Sequence, residues 1–167
     1  MAFRFGYLLL TLTLALTLAL TAQVAEAQQK IAFGELNQDT TLPVQVTADQ
    51  LAVNTADGTA VFSGNVVVTQ GEMKLTAGEV KITYGTQQND IESLAASGGV
   101  TVTNLGDAAE AQEAVYTIDT GMIVLSGEVL LTQGGSAMAG QKLSINLKDG
   151  TGVMEGRVTT TFQPGGD

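Results

Sequence analysis

A seven-residue motif constrains this chain more than any other feature. Ser63-Gly64-Asn65-Val66-Val67-Val68-Thr69 returns as Ser97-Gly98-Gly99-Val100-Thr101-Val102-Thr103, as Ser126-Gly127-Glu128-Val129-Leu130-Leu131-Thr132 and as Glu155-Gly156-Arg157-Val158-Thr159-Thr160-Thr161. The repeated glycine stands at positions 64, 98, 127 and 156, so the steps are nearly equal. Each copy reads as a turn glycine followed by a β-branched run. Glycine takes φ > 0 without a steric cost, whereas Val, Ile and Thr are stiff at χ1 and fit a pleated surface. A turn-then-strand unit at a near-fixed period is the mark of one supersecondary unit stacked on itself.

The alternation of apolar and polar residues fills in the unit. It begins after Pro43, with Val44, Val46 and Ala48 on one face, and slips by one residue after Gln50 so that Leu51 and Val53 carry it on. Such a slip predicts a bulge or corner. Ala56-Asp57-Gly58-Thr59 reads as a hairpin turn, and strands are expected over 60–70, 73–84 with a break at Ala77-Gly78, 91–104, 110–118, 122–126, 128–133, 136–147 and 152–162. A strand pair through Ser97-Gly98-Gly99 is expected within 91–104. The stretch 107–114 is made of strong helix formers. Laying 48–82 over 111–145, however, puts Gly58, Gly64, Gln70-Gly71 and Ile82 on Gly121, Gly127, Gln133-Gly134 and Ile145. The repeat therefore overrides propensity, with loop at 105–109 and strand from 110. Half-buried antiparallel strands of this kind close a sandwich, a barrel or a jelly roll. Stacked at this step they make an elongated, twisted roll whose first and last strands stay open. The rim from Val158 to Phe162 has only Arg157 and Pro164 as guards, and an unprotected edge invites another strand.

The segment 1–27 has another character. Arg4 precedes an apolar, leucine-rich run over 7–22, and Ala25-Glu26-Ala27 has the small-x-small form of a signal-peptidase site. The run is short for a membrane span, which needs about 20 residues. The expected organisation is a cleaved signal peptide at 1–27, a loose arm at 28–42, one β domain at 43–164 and a tail at 165–167, with the mature chain exported. Removing the segment 1–27 takes away one basic and one acidic side chain, so the net charge of −10 is unchanged. That charge argues against nucleic acid and against anionic membrane surfaces, and it suits solubility.

Chemistry is sparsely provided. The chain has no Cys and no His, so it lacks thiolates, disulfides and the commonest general base and transition-metal ligand. Ser63, Ser97 and Ser126 have no imidazole to activate them, and the aspartates fall at turns, where local hydrogen bonding explains them. The glycine pairs open no helix and so cannot cradle phosphate in the P-loop manner. No enzyme, cofactor or metal site is expected. An aliphatic interior is then either a filled core or a groove for an apolar ligand, and sequence alone leaves both open.

The stretches Val46-Thr47-Ala48-Asp49, Phe62-Ser63-Gly64-Asn65-Val66-Val67-Val68-Thr69-Gln70-Gly71, Val124-Leu125-Ser126-Gly127-Glu128-Val129 and Arg157-Val158-Thr159-Thr160-Thr161 resemble the OstA-like family of periplasmic lipopolysaccharide-transport proteins typified by LptA. The likeness covers about residues 43–164. It implies an all-β, twisted, open β-jelly roll of stacked antiparallel strands with an apolar interior groove for lipid A acyl chains. By the same resemblance the groove is lined by Val44, Val46, Phe62, Val66, Val68, Leu75, Ile82, Tyr116, Ile118, Leu125, Val129 and Ile145. Copies would join end to end through edge strands bearing Val46, Leu51, Val53, Val158, Thr160 and Phe162. They would bridge LptC-like partners at the inner membrane and LptD-like partners at the outer membrane. With no nucleotide site of its own, such a protein would be a passive conduit. A membrane-anchored LptC-type member and a secreted β-solenoid or adhesin module are the competing readings. The lysine-bearing tail of some relatives is missing, and few cations are available for lipid phosphates. Burying about 12 methylenes at ~0.8 kcal/mol each outweighs surface ion pairs of ~0–1 kcal/mol, so acyl burial could still dominate.

Overall fold

The alternation that starts after Pro43 becomes a single run of antiparallel hairpins. The computed structural model describes residues 30–32, 39–85 and 90–162, and the expected signal peptide and tail lie outside them. Eleven strands follow in order: β1 (Lys30–Ala32), β2 (Gln45–Thr47), β3 (Gln50–Asn54), β4 (Thr59–Gln70), β5 (Met73–Tyr84), β6 (Ile91–Asn104), β7 (Asp107–Thr117), β8 (Met122–Gln133), β9 (Ser136–Asn146), β10 (Thr151–Glu155) and β11 (Thr159–Thr161). From β4 to β9 every strand pairs with its neighbours in sequence, so the centre of the sheet is a meander. At one end β2 and β3 both pair with β4, and at the other β10 and β11 both pair with β9. Among the described strands the two ends of the sheet do not meet, so it remains open rather than closing into a barrel.

The repeated glycine does not connect strands, as the turn-then-strand reading expects. It bends them. β4, β6 and β8 run through Gly64, Gly98 and Gly127 unbroken, with register shifts between Ser63 and Val66, Ser97 and Val100, and Ser126 and Val129. The expected strand pair at 91–104 is thus one bent strand, and so are the two strands expected at 122–133; the break expected at Ala77-Gly78 is a register shift within an unbroken β5. Two consecutive residues take left-handed conformations at each corner: Gly64 (φ 78°) with Asn65 (48°), Gly98 (81°) with Gly99 (83°), Gly127 (81°) with Glu128 (50°), and Gly156 (83°) with Arg157 (46°). Two such residues in a row turn a strand out of its plane, as bulges do. At Gly156 the chain leaves the sheet, which splits the strand expected over 152–162 into β10 and β11. The slip expected after Gln50 falls just before it, as the matching break at the other end, where Ala48 and Asp49 separate β2 from β3.

The corners line up across the sheet and fold it into two wings. One wing holds β3, β10 and the limbs of the long strands at 59–63, 79–84, 91–97, 113–117, 122–126 and 142–146. The other holds β2, β11 and the limbs at 66–70, 73–77, 100–104, 107–111, 129–133 and 136–140. Facing residues from both wings make one core. Hydrogen bonds clamp the corners. The Asp49 backbone amide donates to the Gly64 carbonyl at 2.9 Å, the Asn65 side-chain amide to Asp49 Oδ2 at 2.8 Å, and the Gln112 side-chain amide to Glu128 Oε2 at 2.9 Å.

The helix-forming run is β7, as the repeat requires. It starts at Asp107, because only Leu105 and Gly106 make the turn from β6. Its alanines turn inward: Ala109, Ala111 and Ala114 are buried, in register with the apolar rows. The arm expected to be loose over 28–42 is partly built in. β1 pairs with the outer edge of β10, and residues 40–42 are held by a buried side chain described below.

Candidate functional site

Cross-strand partners share a face of the sheet. Following register across the first wing, Leu51, Phe62, Val80, Ala96, Ala114, Leu125, Leu143 and Met154 form one inward row. Val53, Ala60, Ile82, Leu94, Tyr116, Ile123 and Ile145 form a second. In the other wing Val46, Val68, Leu75, Val102, Ala109, Leu131, Met138 and Thr160 form a third. These rows run the length of the sheet without a charge.

All twelve residues expected to line a groove belong to this single cluster. Val66, Val68, Leu75, Ile82, Tyr116, Leu125, Val129 and Ile145 are buried, and Val44, Val46, Phe62 and Ile118 are half-buried against them. The wings are drawn together. Ile145 from one wing and Leu131, Val102 and Ala109 from the other enclose a cavity of about 10 Å³, lined also by Asp107 and Ala108. That is room for about one water.

The rows are unfinished at both rims. Leu51 and Val53 face the same side as Phe62 and Ala60, yet are 55% and 62% exposed. At the opposite rim Thr160 sits beside buried Met138, Val158 is 37% exposed and Phe162 71%. Of the three residues expected on the C-terminal edge strand, only Thr160 lies in β11; Val158 and Phe162 flank it. Among the described strands β2, β3 and β11 each pair on one side only. The outer edge of β10 differs, since β1 covers it.

A band of polar side chains turned inward is what the alternation missed, since it assigns Gln, Asn and Asp to the outer face. Gln70, Asn104 and Asp107 are buried. They lie in one register row at the hairpin tips of the second wing, through Gln70–Met73, Met73–Asn104 and Asn104–Asp107. Gln133 donates from Nε2 to Asp107 Oδ2 at 2.8 Å. Gln70 joins three parts of the molecule. Its Oε1 accepts from the Tyr116 hydroxyl at 2.9 Å, across the interior. Its Nε2 donates to the carbonyls of Thr40 at 3.1 Å and Leu42 at 2.9 Å. A signal existed in sequence: the internal repeat lays Gln70-Gly71 on Gln133-Gly134, so the glutamine recurs with the turn.

Burial pushes the Tyr116 phenol up from its ordinary value near 10. The folded state therefore favours the neutral phenol. The stability this confers is complete below pH 10 and is lost as pH rises through the raised value. Followed by phenolate absorbance, Tyr116 should ionise above pH 10 together with loss of the β-sheet circular dichroism, and Tyr116→Phe should remove that step. Ionisation of Tyr116 below pH 10 with the sheet intact would show the phenol to be hydrated.

A family model described as LptA/LptD N-terminal domain, lipopolysaccharide transport protein, matches residues 45–151. An uncharacterized protein of Rhizobium meliloti (strain 1021) is 28% identical over 133 residues, covering 73% of this chain and 72% of its own. The crystal structure of LptH from Pseudomonas aeruginosa, described as the LptA-homologous periplasmic component of the lipopolysaccharide transport device, superposes with a TM-score of 0.69 at 23% identity. The superposition covers 76% of this chain and 99% of LptH, and it shows a shared fold.

Proposed function

We propose, because this chain belongs to the LptA/LptD N-terminal domain family of lipopolysaccharide transport proteins, that it is a periplasmic, non-enzymatic carrier that takes lipid A acyl chains between its two wings. Copies pass the lipid on by joining rim to rim, and LptC-like and LptD-like domains take the two ends. The observation that carries this reading is the set of charge-free rows running from one rim to the other, with Leu51 and Val53 exposed at one rim and Phe162 exposed beside the other. A second copy docking β11 beside β2 or β3 would extend the sheet and cover Leu51, Val53 and Phe162 together. Strand addition supplies backbone hydrogen bonds, and the apolar rows supply the area.

Acyl burial at ~0.8 kcal/mol per methylene is the driving term, and the lipid phosphates stay in water or are bridged by divalent cations. The cavity of about 10 Å³ where the wings meet is too small for an acyl chain, so the wings must part there to admit one. An open sheet allows this, because the wings can hinge along the corners.

Photo-crosslinkers at Val68 and Ile118 should label lipopolysaccharide, whereas one at outward-facing Lys81 should not. Labelling from Lys81 alone would place the lipid outside and defeat the reading. Mass spectrometry of the native protein should find co-purified glycolipid; a lipid-free protein exposed at the cell surface would favour the adhesin alternative. Phe162→Asp should weaken rim-to-rim association about 10–100-fold, the equivalent of removing one buried aromatic worth ~1.5–3 kcal/mol. Sedimentation equilibrium would measure it, and unchanged association would exclude the C-terminal rim.

A further inference from the structure

Segment 39–42 crosses from one wing to the other, and the buried side chain of Gln70 holds it there. Thr40 lies beside the turn of the first wing, where a Cβ added at Gly121 would stand 3.4 Å from its methyl group. Its carbonyl and that of Leu42 point to Gln70 Nε2 in the second wing. Asp39 closes the segment on itself by accepting from the Thr41 amide at 2.9 Å. Gln70 is 1% exposed, and its oxygen is taken by Tyr116 from the facing wing. A carboxamide has one carbonyl oxygen and two N–H groups. Here the oxygen is fixed by the fold, while the amide nitrogen donates to two amide carbonyls of a short segment lying across the interior.

We propose that Gln70, held by Tyr116, is a hydrogen-bonding site for the carbonyl that heads an amide- or ester-linked acyl chain, and that the carbonyls of Thr40 and Leu42 occupy it as a removable internal substitute. This rests on the reading of the protein as an acyl-chain carrier. The chemistry matches on three counts. An acyl linkage presents the same acceptor as a peptide carbonyl. It sits at the end of an apolar chain, as Gln70 sits just beyond Val68 on the inward face of β4. The donor is already desolvated, so an incoming carbonyl makes up the hydrogen bonds that the segment gives up. Entry of a multiply acylated lipid exchanges its linkage carbonyls for those of Thr40 and Leu42 and frees segment 39–42.

The chain has no cysteine, so Leu42→Cys gives a single site for a nitroxide label without touching the carbonyl involved. In the purified protein the label should be immobilised. Rough-type lipopolysaccharide should shorten its rotational correlation time several-fold. Dodecyl maltoside, which has an apolar chain and no carbonyl, should leave it immobilised. Binding is read separately, from a crosslinker at Val68. Crosslinked lipopolysaccharide with the label still immobilised overturns this inference and leaves the carrier reading standing, as does equal release by dodecyl maltoside. No crosslink at all overturns both. Gln70→Ala should free the label without lipid. If that variant does not fold, Tyr116→Phe, which keeps the ring and loses the hydroxyl, should loosen it. An immobilised label in a folded variant of either kind removes Gln70 as the clasp.

Discussion

Gly127→Val should cost the fold more than about 3 kcal/mol, and Gly134→Ala only about 1 kcal/mol. Both glycines are left-handed, at φ 81° and 52°, and they differ in what surrounds them. A Cβ at 134 would meet nothing within 4 Å, whereas one at 127 would stand 2.9 Å from Gln112 Cβ and 2.9 Å from its Oε1. A left-handed L-residue costs roughly 1–2 kcal/mol at either site, and a β-branched one more. At 127 the clash adds strain of about 1–3 kcal/mol. Moving Gln112 aside would also break its bond to Glu128, worth about 1 kcal/mol. Glu128, at φ 50°, shows that the second corner residue tolerates a side chain there. Urea unfolding would measure both variants. Equal losses would mean that close strand approach at the corner matters little and that conformation alone requires the glycine.

The same geometry explains what the sequence disclosed and what it hid. The apolar alternation gives the faces, and the spacing of Gly64, Gly98, Gly127 and Gly156 gives the period, so a stacked all-β sheet follows from residues alone, while its closure as a sandwich, a barrel or an open roll does not. Whether a glycine joins two strands or bends one is not local information. It depends on whether the partner strand can shift register opposite it, as Gly78 does by lying with its Cα 3.3 Å from the Cβ position of Gly98. Glycine-then-Val-Val-Val reads identically in both cases. The run at 107–114 shows the opposite balance: high helix propensity was overruled because its alanines fall inward in register with the apolar rows, and the repeat already said so.

The inward positions were legible for a related reason. Val68, Leu75, Ile82 and Ile145 sit at a period of two within β-branched runs, and burial follows from that phase. Gln70 and Asp107 share that phase but not the chemistry, and a rule that sorts polar residues outward discards them. Their burial makes sense only with partners far along the chain: Tyr116 is 46 residues from Gln70, and Gln133 is 26 from Asp107. Segment 40–42 was hidden likewise, since its anchor is one side chain 28 to 30 residues away.

Leu131→Ala separates a core that merely packs from one that also receives lipid. Leu131 is fully buried in the second wing, beside Ile145 of the first, at the cavity of about 10 Å³. Truncating it removes most of the side chain from the place where the wings meet, and it should lower stability by about 2–5 kcal/mol. A closed core gains nothing in return. In a carrier, the new space lies along the path of an acyl chain and can take two or three of its methylenes, each worth ~0.8 kcal/mol. Lipopolysaccharide binds only the folded state on this reading, so it stabilises by mass action. The variant should therefore gain about 2 kcal/mol more from lipid than the unaltered protein does, shown as a larger rise in its thermal midpoint at equal lipid. An equal rise in both would place the chains away from Leu131. A rise in neither would mean that these rows serve the fold alone.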